Sequence, residues 1–526
     1  MTDSHRGSTD KEPERPGAVM NPAVPPAKGP DGRVIPPSTD KPVRGAVANT
    51  VQDDTESVLS SPVTEPPTHA PPDSPERVAM RARIKKFVLT VVIIAALGGA
   101  LFGYDTGVIS GVLVYLTPDF GLSQTQVGII TSSLLIGAAI GSVTGGWMAD
   151  RWGRRMTLLF AGGLFFVGAI AQALAPDATV MVITRLFLGV AVGTASLVVP
   201  MYVSEISPPT YRGRLVSMNS LMIASGQLLA YIVNALLAPT GNWRLMLAMA
   251  AIPAAALVIG MYYMPDSPRW YLKQGRDADA KKVLEQSYYP ENVDSTIVDI
   301  KKTEAADEAV KDSLGNQLRK PKVRALFYTG VGLAIIQQFV GVNTVIYYAP
   351  STLTKAGMGD NAAVTSSIGI GIGAVIGVVI SMSLIDKVGR RPLMFVGLAI
   401  MVVALVGMGV IERLTQSTAT GYVLLALMVV YVSAFQLGVG VPTWLLLAEI
   451  FPAPIRATAM SICTLIIWMG NFIVSLVFPP LGDLWGASTM FFIFAVVSAL
   501  SLVFCYRRVP ETMGESLDEI TTKAES

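Results

Sequence analysis

The chain has 526 residues, of which 51% are hydrophobic and only 15% charged, a balance too apolar for a water-soluble protein of this length. Its formal net charge is +2 and its basic residues are spread through short connections, which gives no footprint for nucleic acid. Cys463 and Cys505 fall in apolar segments and suggest neither a disulfide framework nor a metal cluster, and the only histidines, His5 and His69, lie near the N-terminus. Carboxylates must therefore carry any proton chemistry within the membrane part.

Residues 1–80 are rich in Pro, Asp, Glu, Ser and Thr, with few large apolar residues and neither a signal-peptide core nor a helical period, and read as a disordered cytoplasmic tail. From Phe87 the character changes. Twelve apolar stretches follow, cored on 87–114, 126–148, 156–175, 180–203, 215–237, 245–264, 325–348, 364–385, 392–411, 422–447, 457–478 and 490–504. The expected fold is an all-α membrane protein with twelve transmembrane helices.

The connections alternate in charge. DRWGRR at 150–155, YRGR at 211–214, the long 265–324 segment, DKVGRR at 386–391 and Arg456 are basic, and the connections between them are poor in Lys and Arg. The positive-inside rule puts the basic set, and both termini, in the cytoplasm. Between the sixth and seventh spans, DADAKKVLEQ and STIVDIKKTEAADEAVKD have the amphipathic, charge-rich pattern of short surface helices. The expected organisation is a tail (1–80), a six-helix bundle (81–264), a cytoplasmic linker (265–324), a second bundle (325–508) and a C-terminal tail (509–526).

The seventh span carries QQFVGVNTVIYYAP at 337–350, inside a run without charge from Ala325 to Tyr348. One amide in hydrocarbon would simply bond a neighbouring helix. Gln337, Gln338 and Asn343 around Gly341 fit better with a cavity that holds a hydroxyl-rich ligand. On a straight helix at ~100° per residue, Gln337 and Asn343 would point about 120° apart, so a shared ligand requires a bend near Gly341.

Several patterns occur once in each half of the chain at nearly one offset. Gly153, Arg154 and Arg155 recur as Gly389, Arg390 and Arg391; Glu205 with Arg212 recurs as Glu449 with Arg456; Pro265, Asp266 and Ser267 recur as Pro510, Glu511 and Thr512. The chain reads as a duplicated six-helix unit whose copies share one orientation in the membrane, a geometry suited to rocking.

GGWMADRWGRR, PMYVSEISP with YRGR, PDSPRW, QQFVGVN, DKVGRR, EIFPAPIRA and VPET, in this order, resemble the sugar porter family of the major facilitator superfamily over about 87–515. The resemblance implies a major facilitator fold of two pseudo-symmetric halves and a transporter, not an enzyme. The charged connections, Asp150, Arg154, Arg155, Glu205, Arg212, Arg214, Asp386, Arg390, Arg391, Glu449 and Arg456, place opposite charges at helix ends. They read as a cytoplasmic gate whose pairs hold the halves together in one state and separate in the other.

Within the apolar core, Asp105 and Arg185 each cost roughly 2.5–3.5 kcal/mol to insert unless paired or wet. Both belong to the outer half of their spans. A pair between them that protonation of Asp105 would release makes a proton switch, against a permanent structural salt bridge as the alternative. In the proton symporters that the chain resembles, an Asp and an Arg occupy these places.

The resemblance further maps sugar-contacting positions onto Gln227, Gln337, Gln338, Asn343, Trp444 and Asn471, with Trp468 a weaker candidate. Amides offer donor and acceptor to vicinal hydroxyls, and an indole packs on the ring face. The chain departs from the family at Gly438, Val439, Gly440, Val441 and Pro442, where many members have Pro-Gly-Pro before the Trp.

The function expected is import of a monosaccharide or cyclic polyol, hexose, pentose or inositol, with a proton across the cytoplasmic membrane. No cofactor, metal or obligate protein partner is implied; the partners are the sugar or polyol and the bilayer. The alternatives are an uncoupled facilitator and a non-transporting sugar sensor. A sensor would be expected to carry a long signalling extension, and the chain runs only about 16 residues past Pro510.

Overall fold

The computed structural model describes residues 74–309, 317–414 and 416–513. Among the described residues all regular structure is helical, and twelve segments are long and apolar enough to cross a bilayer. The first half contains α1 (Pro75–Phe120), α2 (Gln124–Trp152), α3 (Arg154–Ala173), α4 (Ala178–Ile206), α5 (Pro209–Leu237), and α6 (Trp243–Ala248) with α7 (Ala251–Tyr263), which together form the sixth span. Three linker helices follow: α8 (Pro268–Lys273), α9 (Asp277–Ser287) and α10 (Pro290–Ala309). The expected linker helices are thus present as far as Ala309; residues 310–316 lie outside the described part.

The second half contains α11 (Pro321–Phe339) and α12 (Val342–Lys355), then α13 (Asp360–Ser366) and α14 (Ile368–Val388), then α15 (Arg390–Ile411). It continues with α16 (Thr418–Phe435), a π-turn (Gln436–Gly440), α17 (Val441–Glu449), α18 (Ala453–Trp485) and α19 (Ala487–Arg508).

The first span begins earlier than the hydropathy suggests. Residues 75–80, expected in the tail, are the opening turns of α1: the Ser74 hydroxyl accepts from the Arg77 amide and Pro75 occupies the first helical position. A bond from Arg77 Nη2 to Glu291 Oε1 at 3.3 Å ties this extension to α10, and the same guanidinium lies over the Tyr289 ring at 5.5 Å. Residues 1–73, the rest of the expected tail, are outside the described residues, as is the C-terminal tail beyond Met513.

Within each half, α1 packs on α5, α2 on α4, α11 on α18 and α15 on α19. Between the halves, α12 meets α1, α18 meets α2 and α14 meets α5. Small residues make the α2–α4 contact close, for a Cβ at Gly137 would stand 2.0 Å from the Leu186 carbonyl oxygen.

The seventh span is broken where the amides require it. α11 ends at Phe339 and α12 starts at Val342, with Gly341 at φ 89° between them. That conformation disfavours a side chain, and a Cβ there would also lie 2.6 Å from the Phe494 ring.

The departure in the tenth span also has a structure. Gln436–Gly440 forms the π-turn, the Ser381 hydroxyl donates to the Leu437 carbonyl at 2.9 Å, and Pro442 follows at the start of α17. The interruption that Pro-Gly-Pro would make is made here by a π-turn ahead of a single proline.

Candidate functional site

The basic ends of the two halves carry the same network twice. Gly153 (φ 89°, ψ 164°) starts α3 and Gly389 (φ 96°, ψ 164°) starts α15. Each is followed by an arginine whose Nη1 donates to a carbonyl of the preceding helix, Arg154 to Ala149 at 3.0 Å and Arg390 to Ile385 at 3.1 Å. Each also donates through Nη2 to a glutamate at 2.9 Å, Arg154 to Glu205 and Arg390 to Glu449. Asp150 and Asp386 reach the same arginines at 3.4 Å.

The next arginines, Arg155 and Arg391, bond the carbonyls of Tyr262 and Tyr506 at the end of each half. Arg456 donates to its own neighbour, the Phe451 carbonyl, at 3.1 Å. The side chains of Arg212 and Arg214 lie outside the described set. Every one of these contacts joins residues of the same half. In this structure the network braces the individual halves; the sequence reading expects these charges to hold the halves together in one state and to separate in the other.

Two acids that are not among the gate charges named from the sequence complete this network. Asp266 accepts from the amides of Arg154 and Arg155 at 2.8 and 3.2 Å, and Glu511 does so for Arg390 and Arg391 at 3.0 and 2.9 Å. They cap the N-termini of α3 and α15, where the unpaired amides and helix dipole favour a carboxylate. A Cβ on Gly153 or Gly389 would run into those carboxylates, which makes glycine the residue that admits the cap. Burial holds the Asp266 carboxyl above the usual carboxylate range, opposed by the Ser267, Arg154 and Arg155 amides and by the Arg154 charge. The recurrence of PDS as PET was the sequence signal for both acids.

In the part of α4 nearer its start at Ala178, Arg185 Nη2 meets Asp105 Oδ2 at 3.4 Å, with both side chains no more than 2% exposed. Arg185 Nε also donates to the Ile130 carbonyl at 2.9 Å. Asp105 Oδ1 and Arg185 Nη1 are buried without a hydrogen-bond partner. A pair that leaves half of each fork unmet is under-coordinated compared with a bidentate one.

In the second half the amides bond one another. Asn343 Nδ2 donates to Gln338 Oε1 at 2.6 Å, and Gln338 Nε2 to Gln337 Oε1 at 3.4 Å, so the break at Gly341 does bring the three together. Asn471 on α18 accepts from the Ser475 hydroxyl at 3.0 Å and neighbours the Tyr347 hydroxyl, which also meets Thr106, one residue from Asp105. Gln227, on α5 in the first half, donates through Nε2 to the Tyr231 hydroxyl at 3.0 Å.

Trp468 is buried with its Nε1 unpartnered and meets Phe102 of the first half edge-on at 5.5 Å. Trp444 stands apart: it is 39% exposed on α17, and none of the described contacts joins it to the amides. Phe102, Thr106, Tyr231 and Tyr347 were not singled out in the sequence, although Tyr231 is placed one helical turn from Gln227.

Aromatic and hydrogen-bonded contacts join the halves at this layer and at the end opposite the basic network. Besides Phe102 with Trp468, they include the Tyr231 hydroxyl donating to the Ile346 carbonyl at 3.3 Å. At the far rim the Tyr115 hydroxyl reaches Asn361 Oδ1 at 3.0 Å and the Ala238 carbonyl at 3.1 Å.

The family model described as "Sugar (and other) transporter" matches residues 91–524. The chain belongs to this family, the sugar porters of the major facilitator superfamily. Among its relatives, a putative metabolite transport protein of Bacillus subtilis, YwtG, is 41% identical over 81% of this chain and 92% of its own length. The major myo-inositol transporter IolT of the same organism is also 41% identical, over 81% of this chain and 92% of its own. The xylose transporter XylE from E. coli, in a partially occluded inward-open conformation, superposes with a TM-score of 0.72 at 33% identity, covering 82% of this chain and all of XylE. This sugar porter is a multi-pass membrane protein and a transporter, not an enzyme.

Proposed function

We propose that the protein imports a monosaccharide or a cyclic polyol such as myo-inositol together with a proton, by alternating access, in the cytoplasmic membrane. The observation that carries this reading is the buried Asp105–Arg185 pair, which Thr106 and Tyr347 connect to Asn471, with further buried amides in both halves. The relatives lend support, since IolT is a major myo-inositol transporter and XylE a proton:xylose symporter.

In this reading the basic end faces the cytoplasm, as the positive-inside rule requires, and the far end faces outside. Protonation of Asp105 from outside removes the charge that holds Arg185. Sugar hydroxyls then exchange with the amide–amide bonds of Gln337, Gln338 and Asn343, together with Gln227 and Asn471, and the substrate favours the state in which both halves grip it. No cofactor takes part; the coupling ion is the proton.

Uptake into proteoliposomes under an imposed proton gradient tests the proposal. Asp105→Asn should abolish uphill accumulation while exchange of substrate across the membrane persists; accumulation equal to the unsubstituted protein would refute the proton assignment. Competition by unlabelled glucose, xylose, galactose and myo-inositol identifies the substrate, and lack of competition by all four would refute the substrate class.

A further inference from the structure

Tyr231 links the two halves through a carbonyl that its own helix cannot satisfy. In an α-helix the carbonyl of residue 346 would accept from the amide of residue 350, but residue 350 is Pro350, inside α12, and has no N–H. A carbonyl buried away from water and left without a donor is costly. The donor it finds is the Tyr231 hydroxyl, at 3.3 Å, from α5 of the other half.

The same hydroxyl accepts from Gln227 Nε2 at 3.0 Å. A phenol has one proton to give and lone pairs to receive, so the Gln227 bond on the lone-pair side leaves the O–H directed at Ile346. Tyr231 is fully buried, and Gln227 is 3% exposed. Substrate amide, tyrosine and freed backbone carbonyl thus form one line from α5 into α12, the helix that also carries Asn343 and Tyr347.

We propose that Tyr231 is a positioning residue that ties occupancy of the sugar site to closure of the far end. A substrate hydroxyl that engages Gln227 fixes that amide, which fixes the direction of the Tyr231 O–H and so holds α12 against α5. The amide has two N–H donors, so it bonds substrate and Tyr231 at once. The role rests on the alternating-access reading above.

The test uses the full chain in proteoliposomes with a cysteine at Leu228, whose Cα lies 2.9 Å from where a Cβ on Gly371 of the other half would stand. Cys463 and Cys505 are both buried, and their replacement by serine gives a clean background. A membrane-impermeant maleimide added outside should label Leu228→Cys slowly, and substrate should slow it further. Tyr231→Phe keeps the ring and removes the bond; labelling should rise roughly three- to tenfold, the worth of one hydrogen bond, and substrate should no longer protect.

Pro350→Ala supplies the missing amide to the Ile346 carbonyl and so breaks the same bond from the other side. It should raise labelling by a similar factor, and the double substitution should add nothing further. Additive effects, or substrate protection intact in Tyr231→Phe, would overturn the role of Tyr231 and leave alternating access standing. If substrate changes labelling in neither chain, alternating access fails and the proposal falls with it.

Discussion

The two ends of this transporter are built from different bonds. At the basic end each half closes on itself with charges: arginine on glutamate at 2.9 Å, and a capping carboxylate on the amides of the next helix, in duplicate. At the far end the halves close on each other with neutral groups, a tyrosine hydroxyl on a carbonyl and another on an amide oxygen. The difference fits their duties. A partly buried ion pair is expensive to break because it strands a charge, whereas a neutral hydrogen bond nets ~1 kcal/mol and can be made and broken in every cycle. In the proposed alternating-access cycle, strong bonds would keep each half rigid and weak ones would let the halves separate.

The comparison breaks most visibly if the charges are removed. Arg154→Ala leaves Glu205, whose side chain is 9% exposed, without its partner and should cost about 3 kcal/mol, read as a lower Tm of the detergent-purified protein. Arg390→Ala should cost less. Glu449 is 30% exposed and keeps the Thr512 hydroxyl, so water and that donor absorb part of the loss. Equal losses in the two halves would show that solvent access does not set the value of the pair.

The far end should respond in kinetics and not in stability. Tyr115→Phe removes the bond to Asn361 and should loosen closure of the far end by about 1 kcal/mol. The expected result is roughly fivefold faster labelling of a cysteine at that end with an unchanged Tm. A Tm drop matching that of Arg154→Ala would erase the distinction between the ends.

The smallest effect concerns pH. The folded protein holds the Asp266 carboxyl above the usual carboxylate range, chiefly by burial, so the folded state binds that proton more tightly than the unfolded chain does. Its contribution to stability is full below the ordinary aspartate value of about 4 and is lost as pH rises through the raised value. Asp266→Asn should flatten that part of the Tm–pH curve; an unaltered curve would remove Asp266 as its source.

Much of this architecture was legible in the sequence because it depends on local pattern. The twelve spans follow from hydropathy, the break at Gly341 from the angular spacing of Gln337 and Asn343, and the Asp105–Arg185 pair from the cost of burying either charge alone. The partition of the gate charges was harder to read. Each half contains both acid and base, so the repeat alone allows pairing within a half or between halves, and the helix packing decides. Tyr231 was invisible for a similar reason: its acceptor is a backbone atom created by a proline in another helix. Residues 75–80 read as tail because their polarity suits water, yet Ser74, Pro75 and the linker helices are enough to wind them.

The extension of α1 makes the protein its own pointer. From Pro75 to Lys86 the helix runs ahead of the apolar stretch for ~18 Å at ~1.5 Å per residue, continuous with the span that carries Asp105. The linker belongs to the same body, since α9 packs on α1 and the Tyr288 hydroxyl donates to the Ser207 carbonyl, so the Arg77–Glu291 contact holds the tip to its own half. A probe fixed near Arg77 would therefore report, from outside the bilayer, the movement of the half that carries the buried Asp105–Arg185 pair.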